Sequence, residues 1–223
     1  IPPSESKKGI KPDTYHIWLS EVMLQQTTVK VVKKYYEAFL LKWPTLFDLA
    51  SAKDEDIMEA WAGLGYYRRA HNLIKCAQEI NDTYGGIFPN DEKALLKLPG
   101  IGSYTAAAIQ SIGFNMKATV IDGNIERIIS RLFALNKPIN LSKKKIKTCA
   151  ESISPTRRNG DYSQALMDLG STICTSKSPQ CQKCPIKKCC KSHDLELTDK
   201  IPYSVKKKLK PTKYGYVFIA LTR

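Results

Sequence analysis

Leu98-Pro99-Gly100-Ile101-Gly102-Ser103-Tyr104-Thr105-Ala106-Ala107-Ala108 is the stretch that decides the fold. Two glycines bracketing an apolar residue make a tight turn with bare backbone N–H groups, and the turn opens directly onto a helix N-terminus. Such a turn between two helices grips a phosphate without reading a base. A plain helix–helix turn is the bland alternative, but the small-residue helix after L-P-G-I-G makes the pattern more specific than a lone G-x-G. Working outward, the pattern is helical almost throughout, from about residue 14 to 200. Val29, Val32, Tyr35, Tyr36 and Phe39 repeat at helical spacing. Ser51-Ala52-Lys53-Asp54 reads as a helix start with acids in its first turn. The one β-like run is Tyr214-Gly215-Tyr216-Val217-Phe218-Ile219-Ala220-Leu221, after the basic segment Lys206-Lys207-Lys208-Leu209-Lys210-Pro211. One strand cannot be a domain. The expected order is therefore a flexible segment over 1–13, an all-α core over 14–200, a basic linker over 201–213, and over 214–223 the first strand of a second domain that this chain does not contain.

The chain has 223 residues, enough for one large or two small cores, and a formal charge of +14 from 35 basic and 21 acidic residues. A surplus of that size points to a polyanionic partner, most simply nucleic acid, with solubility alone as the competing explanation. No run of 18 apolar residues exists, so no transmembrane helix and no membrane partner are expected. The N-terminal residues lack the apolar core of a signal peptide and lack a starting Met, which reads as a trimmed chain. Cys76 and Cys149 stand alone among helical patterns and read as buried free thiols, as suits a reducing compartment.

Four further cysteines fall close together at Cys174, Cys181, Cys184 and Cys190, a C-x6-C-x2-C-x5-C spacing. Four thiolates so near in sequence can ligate one soft metal centre, a [4Fe-4S] cluster or a zinc ion. Zinc sites usually offer two separated C-x2-C knuckles, and only one is present, which favours the iron–sulfur reading. Cys189, next to Cys190, is a rival fourth ligand. Lys177, Lys183, Lys187, Lys188 and Lys191 surround the loop and could face phosphate, or simply fill a solvated loop.

Two carboxylates stand out. Asp122, in Val120-Ile121-Asp122-Gly123-Asn124, sits where the next helix would start, so an N-cap is its ordinary role. The other reading is a carboxylate held against an electron-poor sugar carbon. Glu21 lies in the apolar setting Trp18-Leu19-Ser20-Glu21-Val22-Met23-Leu24. On the outer face of an amphipathic helix it would be solvated; buried, it would have a raised pKa and stay protonated, as an acid catalyst needs.

Taken together, the hairpin, the downstream aspartate and the four-cysteine loop resemble the helix-hairpin-helix DNA glycosylases that carry an iron–sulfur cluster. Within them, Ser20-Glu21-Val22-Met23-Leu24-Gln25-Gln26-Thr27, Gly63-Leu64-Gly65-Tyr66-Tyr67-Arg68-Arg69-Ala70-His71-Asn72-Leu73 and Gln164-Ala165-Leu166-Met167-Asp168-Leu169-Gly170 are similar to blocks of the adenine DNA glycosylases, the MutY type. The resemblance implies a two-lobed core, with a hairpin lobe over about 28–134 and a cluster lobe from 14–27 plus 135–200. It implies a monomer acting on double-stranded DNA with A opposite 8-oxoguanine or G, in bacterial cytoplasm at the nucleoid, or in a nucleus or mitochondrion if the source is eukaryotic. It implies that Glu21 protonates adenine, that Asp122 stabilises the sugar cation, and that Asn124 orients Asp122. Leu24, Gln25, Gln26, Thr27 and Tyr67 would face the DNA gap, Gly100 and Gly102 a phosphate, and Gln164 and Asp168 the flipped base. It also assigns the fourth cluster ligand to Cys190. Tyr104 stands where bifunctional relatives such as endonuclease III carry a Schiff-base lysine; it cannot be an amine nucleophile, which implies a monofunctional enzyme. An endonuclease III-like glycosylase/lyase and a non-catalytic DNA-binding iron–sulfur fragment are the rivals. The family's L-P-W-R-type segment is absent before Trp18, where the chain reads Lys8-Gly9-Ile10-Lys11-Pro12-Asp13-Thr14-Tyr15-His16.

Overall fold

A computed structural model describes residues 12–203 and 214–215. All of the expected strand over 214–223 except Tyr214 and Gly215, and most of the 201–213 linker and of the 1–13 segment, lie outside the described residues. Among the described residues every regular element is helical, and no helix is long and apolar enough to cross a membrane.

The first helix, α1 (Thr14–Leu24), begins at Asp13, whose side chain accepts from the Tyr15 N–H at 2.8 Å. It is apolar on nearly every side and is buried accordingly: Tyr15, Ile17, Trp18, Leu19, Glu21, Val22 and Met23 are all inside. Helices α2 (Val29–Lys42), α3 (Leu46–Ala50), α4 (Asp54–Trp61), α5 (Arg68–Tyr84) and α6 (Glu92–Leu95) follow. Thr45 and Asp48 form a reciprocal capping box on α3. The start of α4 falls where the sequence indicated, with Asp54, Glu55 and Asp56 in the first turn complementing the helix dipole. Helix α5 ends at Gly85, in the left-handed conformation that a glycine takes without penalty.

The hairpin turn leads into α7 (Ser103–Ala108), which continues as a π-helical turn over Ile109–Gly113. Gly100 has φ of +77°, and an added Cβ would lie 2.8 Å from Cβ of Asn72 on α5, so both the turn and the close approach require glycine here. Beyond it come α8 (Gly123–Leu132), α9 (Ile139–Ser152) and α10 (Asn159–Thr172), then short 3-10 turns at Cys181–Lys183 and Lys187–Cys189, and α11 (Lys191–Asp194).

Buried residues form two main clusters. The larger runs from Tyr15 to Ile109 and is centred on Trp18, Phe39, Trp61 and Leu73. The smaller gathers Val120, Ile125, Ile129, Ile146, Cys149 and Ala150. The packing crosses the lobe boundaries expected at residues 27/28 and 134/135. Trp18, Leu19, Val22 and Met23 of α1 belong to the larger cluster, because so apolar a helix must be covered on all sides. Its other side meets Ala108 and Ile112 through Ile17. Helix α1 thus packs on both the larger cluster and α7 with its π-helical turn, and the segment from Val120 to Ile129 packs with α9.

Candidate active site

Glu21, on the central helix α1, is 8% exposed. Its Oε2 accepts a hydrogen bond from the Tyr104 hydroxyl at 2.7 Å. Burial pushes the Glu21 carboxyl above the ordinary range; the Tyr104 hydrogen bond opposes that rise, and the Asp122 charge adds to it. The Tyr104 phenol is raised far beyond reach of neutral pH, by burial first and then by the charges of Glu21 and Asp122. A phenol so held stays protonated and acts as a donor. The three residues, 83 and 18 positions apart in the chain, therefore meet in one electrostatic group.

Asp122 caps α8. Its Oδ1 accepts from the Ile125 N–H at 2.7 Å, and its Oδ2 accepts from the Asn124 side-chain amide at 2.9 Å. The capping role is thus real, and it also fixes an anion at the positive end of a helix. Asn124 is held in turn by the Arg127 guanidinium, which donates to Asn124 Oδ1 at 2.9 Å, to the Gly170 carbonyl at 2.6 Å and to the Cys174 carbonyl at 2.7 Å. An added Cβ on Gly170 would fall 2.5 Å from Cβ of Asn124, so α10 and the start of α8 are in tight apposition.

Helix α10 reaches the group through Met167, whose sulfur lies 3.5 Å from the Tyr104 hydroxyl. Gln164 donates back to the Gly160 carbonyl of its own helix, and Asp168 is exposed. Met167, one of the three residues between them in the sequence, is the one that meets Tyr104. A cleft of about 450 Å³ opens beside Tyr104, lined among others by Ser103, Gln110, Lys117, Thr119, Ile121 and Lys147.

Of the residues expected to face DNA, Gln26, Tyr67, Gly100 and Gly102 are exposed, while Leu24, Gln25 and Thr27 are half-buried. Arg69 binds the loop after α1 and the turn before α5. Its Nη1 donates to the carbonyls of Val22, Met23 and Gln25 at 3.0, 2.9 and 2.7 Å. Its Nη2 donates to Thr27 Oγ1 at 3.2 Å and to the carbonyls of Leu64 and Gly65 at 3.3 Å each.

Cys174, Cys181, Cys184 and Cys190 line one small, mainly apolar cavity of about 30 Å³, together with Arg131 and His193. Cys189 is exposed and does not line it. Burial raises the Cys184 and Cys190 thiols, and the neighbouring charges of Cys174 and Cys181 raise both further. Backbone N–H groups of Ser192 and His193 act against that rise at Cys190. Arg131, 2% exposed, donates to Cys174 Sγ at 3.3 Å, to the Thr175 carbonyl at 2.6 Å and to the Ile201 carbonyl at 2.8 Å. Soft thiol donors around a common space, with N–H donors facing their sulfurs, suit an iron–sulfur cluster chemically. Among the described residues, no set of three potential ligands is drawn tightly enough to hold a single metal ion.

A family model described as HhH-GPD superfamily base excision DNA repair protein matches residues 19–155. The chain belongs to that superfamily. An adenine DNA glycosylase of Buchnera aphidicola subsp. Baizongia pistaciae is 39% identical over 212 residues, which are 94% of this chain and 60% of that relative. The adenine DNA glycosylase of Homo sapiens is 40% identical over 192 residues, 85% of this chain and 35% of that one. Among solved structures, a thermostable thymine-DNA glycosylase is similar at a TM-score of 0.74 and 32% identity, over 82% of this chain and 85% of the other. The chain spans about three fifths of the length of the first of these relatives. Its all-helical architecture is that of the helix-hairpin-helix glycosylases.

Within this HhH-GPD protein, sequence reasoning missed Arg69, Arg127, Arg131 and Met167. Arg69 falls in the apolar stripe of α5, with Ala70, Leu73, Ile74, Ala77 and Ile80. A charge on a buried stripe was the available signal. Arg131 carried the same signal on α8, beside Ile125, Ile128 and Ile129.

Proposed function

We propose that the chain is the catalytic part of a monofunctional adenine DNA glycosylase, which hydrolyses the N-glycosidic bond of adenine opposite 8-oxoguanine or G in double-stranded DNA. The observation that carries this reading is the buried Glu21 carboxyl under the Tyr104 hydroxyl, where a lyase would need an amine. Adenine leaves a sugar readily only after a ring nitrogen is protonated. Glu21, whose protonated form burial favours, is the acid; Tyr104 occupies Oε2 and leaves Oε1 to carry the proton. Asp122, at the start of α8, faces the positive charge that develops on the sugar, and Asn124 keeps its side chain oriented. Water completes the hydrolysis and an abasic site remains.

Extrusion of the base into such a site requires the gap to be filled. Gln25, Gln26, Thr27 and Tyr67 are suited to that role, and the Gly100–Gly102 turn to a backbone phosphate. Gln164 and Asp168 would approach the flipped base from α10 only with a change of rotamer. Cys174, Cys181, Cys184 and Cys190 would hold the [4Fe-4S] cluster, which when bound would cross-link the loop that Arg131 ties to α8. The enzyme would act as a monomer in a compartment that contains DNA.

The test is incubation with duplexes carrying A opposite 8-oxoguanine or G, followed by alkali. Alkali-labile sites at the adenine are expected. Strand cleavage without alkali would instead indicate a lyase, and binding with no labile site would indicate a non-catalytic module.

A further inference from the structure

We propose that Arg69 is a positioning residue that locks the loop after α1 to the turn before α5, so that both DNA-facing segments are preformed for base extrusion; this rests on the glycosylase reading above. One guanidinium serves acceptors on both segments. Nη1 takes carbonyls at the end of α1, and Nη2 spans Thr27, Leu64 and Gly65. Each segment contains a non-glycine residue in the left-handed region, Gln26 at φ +59° and Tyr66 at +48°. Such conformations persist only where surrounding structure imposes them, and they concentrate at functional sites. The guanidinium also lies 5.3 Å from the Trp61 ring and 5.5 Å from the Tyr66 ring. Its Nε has no partner and is buried. A cavity of about 30 Å³ adjoins Arg69, Gln25, Asn72 and Gly100, room for a water that would join the guanidinium to the hairpin turn.

The planar fork is what this geometry uses. A lysine has three donors on one atom and cannot reach both segments at once. The experiment compares the 223-residue parent with Arg69→Lys and Thr27→Val, using undamaged duplex and duplex with 2-aminopurine opposite 8-oxoguanine. The readouts are binding, fluorescence on unstacking, and thermal melting. For Arg69→Lys, affinity for undamaged duplex is expected to stay within about twofold, because phosphate contacts carry it. Affinity for the lesion duplex should fall about tenfold, as the loss of charge-assisted hydrogen bonds implies, together with most of the fluorescence rise. Thr27→Val should shift both lesion readouts the same way by less, and serves if Arg69→Lys does not fold. Parent-like extrusion in a folded Arg69→Lys protein overturns the proposal, as does an equal loss on both duplexes. A parent that extrudes 2-aminopurine through Arg69 but releases no adenine would sink the catalytic reading and leave this one standing.

Discussion

Tyr104 donates its hydroxyl hydrogen to Glu21 at 2.7 Å, joining the first turn of the hairpin's second helix to the helix at the centre of the molecule. The hydroxyl two residues beyond the Gly100–Gly102 turn thus opposes the rise that burial imposes on the candidate acid. A DNA backbone seated on Gly100–Gly102 would lie only two residues from the group that touches Glu21.

Glu21→Gln should lower the single-turnover rate of adenine release by about 10²–10⁴-fold, the usual contribution of a positioned acid. In the parent, the rate should fall as pH rises through the elevated Glu21 pKa, because the protonated form is the active one. Stability has the same sign. A carboxyl whose folded pKa is raised contributes fully below the ordinary carboxylate range and loses that contribution as pH rises through the folded value. Thermal melts against pH should therefore decline toward alkaline pH in the parent and be flatter in Glu21→Gln. An identical slope in both would remove Glu21 from this role.

Tyr104→Phe separates the hydrogen bond from the bulk of the ring. The bond stabilises the ionised carboxylate, so its loss should raise the Glu21 pKa further and move the alkaline fall in rate to higher pH. Folding stability should drop by about 1 kcal/mol. A rate profile displaced to lower pH would contradict the assignment.

Asp122 caps α8, and two substitutions separate that role from the chemical one proposed for it. Asn caps helices as well as Asp does, so Asp122→Asn should melt close to the parent while releasing no measurable adenine. Asp122→Ala should lose both, with about 1 kcal/mol of stability gone. Substantial turnover by Asp122→Asn would exclude the carboxylate from catalysis.

The fourth cysteine of the loop is decided by metal content. Cys190→Ser should lose iron and the broad visible absorbance of an iron–thiolate centre, whereas Cys189→Ser should keep both, since Cys189 lies outside the shared cavity. A colourless parent containing zinc would replace the cluster with an ion.

The helical architecture was readable because periodicity, glycine punctuation and the acid-rich start of α4 all act locally. The Asp122 cap was readable for the same reason. The burial of Glu21 was half readable: its neighbours are apolar, but only packing shows that it stands on a covered face of α1 while His16, Ser20 and Leu24 keep partial exposure. Contacts across long stretches of chain were not readable. Nothing near Tyr104 in sequence announces Glu21, and nothing on α10 announces that Met167 meets Tyr104. The packing of α1 on both the larger cluster and the π-helical turn was not readable either, because it joins residues far apart in the chain. Among the four arginine and methionine residues missed, Arg69 and Arg131 betrayed themselves by standing on apolar stripes.

The Asp122 cap has a consequence for how this protein can change over time. In many enzymes the reactive groups strain the fold, so losing one yields a dead but sturdier molecule that can drift toward another use. Here the side chain proposed to face the sugar cation also starts the helix that carries Arg127 and Arg131 and is bound to the cysteine loop. Most substitutions at position 122 would damage conformation and chemistry together. Asparagine is the narrow exit, a single-atom change that leaves a well-folded, silent binder.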